Sequence, residues 1–193
     1  MFIGFPLIYT PLFSQSYSNT ILVNGGNTFF PDWMPRTHSF GLGYSRNLTD
    51  WKLNANIFAC ISNENLIYEP ALEFSYETVY YDEIQYRNLI VLDILAGYNL
   101  IGKYPNMITF FLNCGLSFIK GEEVIIESIW YGNFPESETT TNFRKHLGIN
   151  AGFDFSYYPL KHIGIGIYST GHIYTKYDPD LNIGFNLLYR FGD

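Results

Sequence analysis

Charge is scarce in this chain. Only 15% of its 193 residues are Asp, Glu, Lys or Arg, against roughly 25% in ordinary soluble domains. A water-facing surface is hard to assemble from so few. Basic residues are scarcest: 11 Lys and Arg against 18 Asp and Glu give a net charge of −7. There is no basic stripe to neutralise phosphates, so nucleic acid is excluded as a partner. The 2 cysteines, Cys60 and Cys114, belong to no C-x-x-C or His/Cys cluster, and nothing supports a zinc site. No run of about 20 apolar residues occurs, which excludes a membrane-spanning helix. No useful amphipathic helical period appears either. Any membrane role must therefore use strands.

What is present is aromatic and alternating. Aromatics reach 19%, with 17 Tyr and 17 Phe. In "LGINAGFDFSY" (147–157), Leu147, Ile149, Ala151, Phe153, Phe155 and Tyr157 form one row and Gly148, Asn150, Gly152, Asp154 and Ser156 the other. A period of two means a strand with one apolar and one polar face. Eight segments read this way, at 38–46, 51–60, 71–79, 89–100, 107–118, 146–158, 163–174 and 181–191. The region 17–37 allows two readings, a further strand from Thr20 to Val23 or a loop pinned by Pro31 and Pro35. If the N-terminal region pairs, up to ten strands are possible. "NLTD" (47–50) and "PLKH" (159–162) are tight turns, and 119–145 reads as a long acidic loop. Alternate connections should fall on opposite sides, short turns on one and longer loops on the other. On this strand list 47–50 falls on the wrong side, and so does 61–70.

The polar rows decide which face looks inward. The apolar rows lack charge, but lipid and a soluble core would both enforce that. The opposite rows carry Gly41 and Gly43; Lys52, Asn54 and Asn56; Glu73 and Glu77; Asp93; Asn150 and Asp154; Gly164 and Gly166; and Arg190. Glycine on a water-facing strand packs nothing and weakens it. Inside a narrow barrel it leaves room for larger neighbours. The sequence therefore predicts an inverted barrel, in which Lys52 and Arg190 pair with Glu73, Glu77, Asp93 or Asp154, because an unpaired buried charge costs several kcal/mol. Glu73 and Glu77 could alternatively do acid–base work, but a salt-bridged lumen is the expectation. Parity puts Cys60 on the polar face and Cys114 on the apolar face, so no disulfide joins them. Aromatics at row ends, among them Tyr44, Trp51, Tyr98 and Tyr157, fit interfacial girdles.

Some residues carry a resemblance. "LNIGFNLLYRF" (181–191) resembles the terminal strand of bacterial outer-membrane β-barrels, which implies that Phe185, Tyr189 and Phe191 form the strand read by the barrel-insertion machinery. It departs from that pattern in ending on Gly192 and Asp193 rather than on the aromatic. "FDFSYYPLKHIGIGIYSTG" looks like the penultimate hairpin of the small outer-membrane β-barrel domain family. "LFSQ" is similar to leaders of the Bacteroidetes group. The apolar run Phe2 to Phe13, followed by Ser14, Gln15 and Ser16, looks like a secretory signal without its basic start. The expected division is a truncated signal peptide over 1–15 and a barrel domain over 16–193. The resemblance implies a bacterial outer-membrane location, contact with outer-membrane lipid and lipopolysaccharide, and a monomer. Outer-membrane lipid A deacylases carry a His-x-Ser-Asn run. Here His172 is followed by Tyr174 with no Ser-Asn, so no serine–histidine pair carries over. His172 is expected at a strand end near the membrane surface.

The sequence thus predicts an all-β protein: a single eight-stranded antiparallel up-and-down transmembrane β-barrel with a polar, filled lumen. No catalytic, metal or cofactor residue is expected. A structural, adhesive or small-solute role would be exercised through the outer loops. The competing readings are a soluble lipocalin-like ligand-binding barrel and an outer-membrane lipid A hydrolase.

Overall fold

The computed structural model describes residues 18–30, 37–48, 50–63, 80–101, 107–131 and 134–192. They form eight strands: β1 (Ser18–Phe29), β2 (Thr37–Asn47), β3 (Trp51–Asn63), β4 (Tyr80–Asn99), β5 (Ile108–Tyr131), β6 (Phe134–Tyr157), β7 (Ile163–Tyr174) and β8 (Asp180–Phe191). Every strand pairs antiparallel with its sequence neighbour, and β1 pairs with β8 to close the barrel. Closure matters because an open edge in hydrocarbon would leave backbone groups without partners. The expected 1–15 signal peptide lies outside the described residues.

The strand composition differs from the sequence expectation at one place. The expected strand 71–79 lies outside the described residues, and the barrel closes without it: Trp51–Asn63 pairs directly with β4, from Trp51↔Tyr98 to Asn63↔Tyr86. The eighth position is taken by Ser18–Phe29. Its centre, Asn24-Gly25-Gly26-Asn27, has the chemistry of a turn but runs straight through the ladder, with Gly26 facing Gly184 of β8. This exchange restores the alternation of sides. The connections at 48–50, 100–107 and 158–162 now share one end with both chain ends of the barrel. The opposite end carries the remaining connections and the prolonged strands β4, β5 and β6.

The orientation is inverted relative to a soluble protein. Leu116, Leu147 and Phe185 are 64%, 64% and 73% exposed, whereas Lys52, Asp93, Asn150 and Asp154 are 4%, 1%, 4% and 8% exposed. A lipocalin-like barrel would show the reverse. Cys60 is buried in the lumen and Cys114 exposed outside, both as free thiols. The apolar band of β5, Ile108 to Phe118, spans about 25 Å when tilted by ~40°, the height of an outer-membrane hydrocarbon layer. Near the turn end, Trp51 and Tyr98 meet edge-on at 5.0 Å, and the Tyr44 hydroxyl donates to Asn19 at 2.6 Å. These are amphipathic rings with one wet end, as a membrane interface requires.

A depth series tests the lipid-facing assignment. Leu112→Arg, at mid-band, should cost about 2–4 kcal/mol, and Phe118→Arg, at the band's edge, about 0–1 kcal/mol. Equilibrium guanidinium unfolding in lipid vesicles measures both; equal costs would remove the membrane from the assignment.

Candidate functional site

The lumen is layered, and each layer follows from residues that the strands turn inward. At the turn end, Tyr158 folds back into the mouth, where Leu22 and Leu188 pack against it and the Arg190 guanidinium lies 3.6 Å from its ring centre. Gly164 makes this fit: a Cβ there would lie 2.7 Å from the Tyr158 ring. Burial pushes the Tyr158 hydroxyl up, against the lowering by Arg190.

One level further in, Lys52 forms an ion pair with Asp154. Asn113 donates to the same carboxylate oxygen at 2.7 Å, and the Lys52 ammonium sits 4.4 Å over the Phe111 ring. Above them is a cavity of about 20 Å³ bordered by Asn24, Asn54, Asn56, Thr170 and Asn186. That volume admits little more than a water molecule.

The next layer centres on His172. Its Nδ1 faces Asp180 at 2.6 Å and its Nε2 faces Asp93 at 3.1 Å. A ring with a carboxylate at each nitrogen donates from both, as the imidazolium does. Ser117 donates to the other Asp93 oxygen, and Asn150 donates to Ser117 at 2.8 Å. An apolar layer of Phe30, Phe58, Leu89, Val91, Ile119 and Tyr174 covers it. Glycines again admit the rings: Cβ atoms at Gly41 and Gly148 would lie 2.6 Å from Phe58 and Tyr174.

The outer mouth is shut by a charged lid. Glu123 takes Arg87 at 2.6 Å and Arg144 at 2.9 Å, and the Tyr177 hydroxyl donates to it. Arg87 lies 3.7 Å from the Phe30 ring centre, and His146 stacks on Tyr177 at 5.9 Å. Burial drives the Tyr177 hydroxyl far up, so it remains a donor to Glu123.

The sequence expectations meet this geometry unevenly. Lys52, Asp93, Asn150, Asp154 and Arg190 all turn inward. Glu73 and Glu77 lie outside the described residues. Arg190 sits on the Tyr158 ring. His172 is not at the surface: it is 2% exposed and bridges two lumen carboxylates. No serine hydroxyl is bonded to it among the described residues, so a serine–histidine pair is absent there. Sequence reasoning missed Arg87, Glu123, Arg144, Tyr177 and Asp180. It also missed the inward apolar layer.

Outside the lumen, the dominant feature is a projecting sheet. β5 and β6, each 24 residues long, pair to the end, from Ile108↔Tyr157 to Tyr131↔Phe134. β4 follows β5 as far as Tyr80↔Ile129, with a bulge between Ile84 and Tyr86. β7 leaves β6 at Gly148↔Tyr174, and β3 leaves β4 at Asn63↔Tyr86. The expected acidic loop 119–145 is therefore a hairpin, continuous with the barrel wall.

This geometry matches known proteins. The chain has the fold of the small outer-membrane barrels. The N-terminal β-barrel domain of Pseudomonas aeruginosa OprF aligns with a TM-score of 0.54 at 13% identity, over 92% of this chain and 99% of that one. A major outer membrane protein from Thermus thermophilus aligns at 0.55 and 9% identity, over 90% and 99%. Ail, the attachment invasion locus protein of Yersinia pestis, in complex with the heparin analogue sucrose octasulfate, aligns at 0.50 and 13% identity, over 91% and 99%. No family model matches the chain, and neither does any curated protein. An outward-turned apolar belt of hydrocarbon height on this fold makes the chain a transmembrane barrel of the outer-membrane type.

The Lys52–Asp154 layer is testable by double substitution. Lys52→Met leaves Asp154 buried with only its amide partner and should cost about 3–5 kcal/mol. Combining it with Asp154→Leu should recover most of that loss. Unfolding in vesicles, followed by tryptophan fluorescence, gives both values; an additive double variant would mean the pair is not coupled.

Proposed function

We propose that this protein is a non-enzymatic outer-membrane adhesin that binds an extended partner segment along the free edge of its projecting sheet. The observation that carries this reading is the unpaired outer half of β6. The Leu147 carbonyl accepts from Thr175 N–H at 3.1 Å, so Leu147 directs its backbone groups toward β7. In an antiparallel strand each second residue does the same. Lys145, Phe143, Thr141 and Thr139 therefore point N–H and C=O to the side where, among the described residues, no strand lies. Such an edge is a template for strand addition. Ail, which shares the fold, is by its own name an attachment protein.

A small-solute role fits less well. Eight strands leave room only for side chains, and both mouths here are shut, by Tyr158–Arg190 and by Glu123 with its two arginines. The lipid A hydrolase reading loses its support with His172 engaged by two carboxylates. Phe185, Tyr189 and Phe191 on β8 are proposed as the strand that the insertion machinery reads, supported by their shared outward parity and by the place of β8 as the strand that closes the barrel on β1.

Proline at Thr139 and Thr141 tests the adhesive reading. Both face the free edge, so the β5–β6 ladder keeps its bonds and an edge strand tolerates the ring. Bacteria displaying the wild type should adhere to extracellular-matrix coats above vector control. The Thr139→Pro/Thr141→Pro variant should lose about tenfold or more in affinity for two removed donors, with heat-modifiable gel mobility unchanged. Equal adhesion would remove the edge from the function. Steady planar-bilayer conductance by the wild type would favour the solute role.

A further inference from the structure

The outward face of β5 and β6 ends its apolar rows together, since Phe118 pairs with Leu147. The next outward pair is Lys120 with Lys145, and both are exposed. Two like charges directly opposite on one face of an antiparallel pair repel. Among the described residues neither lysine has an ion-pair partner. Glu122, in the next outward pair, stands across from Phe143, which is 81% exposed. A chain of net charge −7 thus sets two cations side by side on one outward patch.

The height of this patch selects its partner. The apolar rows below it already span about 25 Å, so the lysines stand where the headgroups of the outer leaflet begin. Their stems can lie along acyl chains while the ammonium groups reach the headgroup layer. A phosphate monoester there brings close to two negative charges and three acceptor oxygens, and each ammonium offers three donors. We propose that Lys120 and Lys145 form an outward clamp for the phosphate of an outer-leaflet lipid headgroup, of the phosphorylated glycolipid class that includes lipid A. The site is separate from the free edge of β6 and does not depend on the adhesive reading.

The test titrates diphosphoryl lipid A into the full-length protein in zwitterionic micelles and reads bound lipid by native mass spectrometry. At about fivefold for each lysine near the membrane surface, Lys120→Gln/Lys145→Gln should weaken binding roughly 25-fold, and Lys120→Arg/Lys145→Arg should restore it. Heat-modifiable mobility of each variant separates loss of the clamp from loss of the fold. A second arm needs no variant: the wild type should hold dephosphorylated lipid A at the level of the glutamine variant. Equal retention of the two lipids by the wild type would overturn the clamp. Displacement of bound lipid by millimolar inorganic phosphate would mark a soluble-anion site and overturn the lipid assignment.

Discussion

The constraint on which the structure depends is the complete pairing of backbone groups in a solvent that offers no partners. In hydrocarbon an unpaired N–H or C=O costs several kcal/mol, so the sheet must close on itself, and here the β1–β8 ladder closes it. Closure with eight strands then fixes the width of the interior. That width explains why the inward rows alternate between residues with almost no volume and residues with a great deal. Gly41 faces Phe58, Gly148 faces Tyr174 and Gly184 faces Tyr168 across neighbouring strands. A side chain at any of these glycines would collide with the ring beside it.

A narrow, sealed interior also dictates its electrostatics. Charges there are screened by little water, so each must meet its counterpart at contact distance. Asp154 meets Lys52, Asp93 and Asp180 meet His172, and Glu123 meets two arginines. Apolar side chains and amides separate these layers instead of merging them into one wet channel. The lumen is thereby a packed core written in polar chemistry. It gives the barrel rigidity and leaves little space for transport.

Seven of the eight strands were legible because lipid on one side and a packed lumen on the other impose strict alternation. β1 was obscured by Asn24-Gly25-Gly26-Asn27: the local chemistry says turn, and barrel closure overrides it. The 71–79 segment alternates just as cleanly but lies outside the described residues, and β3 pairs directly with β4. Within the lumen, Lys52, Asp93, Asn150 and Asp154 were legible by parity. His172 was not, because a histidine near a strand end looks interfacial until its two carboxylates are seen, and Asp180 hid behind Pro179 as a loop residue. Glu123 and Arg144 were read as loop because their stretch is acidic and polar. Only the ladder shows them 21 residues apart in sequence and bonded. The inward Leu89, Val91 and Ile119 break the polar row, and alternation treats such residues as noise when they are a layer of the plug.

The projecting sheet reverses the logic of the barrel. Below the rim every edge is closed, because lipid tolerates none. Above it β6 runs on from His146 to Phe134 with, among the described residues, a strand on one side only. Water can satisfy those backbone groups, so the edge carries no penalty in itself. What an exposed edge normally carries is protection against chance pairing: proline, charge or a bulge. The tip of β6 has that protection in Pro135, Glu136 and Glu138, and β4 has its bulge near Gln85. The stretch Thr139–Asn142 has none of these devices. Threonine favours the extended conformation without adding the bulk or charge that would repel a partner strand. An edge guarded at its tip and open in its middle is one on which pairing is confined to a short register, and that confinement distinguishes a recognition surface from an aggregation hazard.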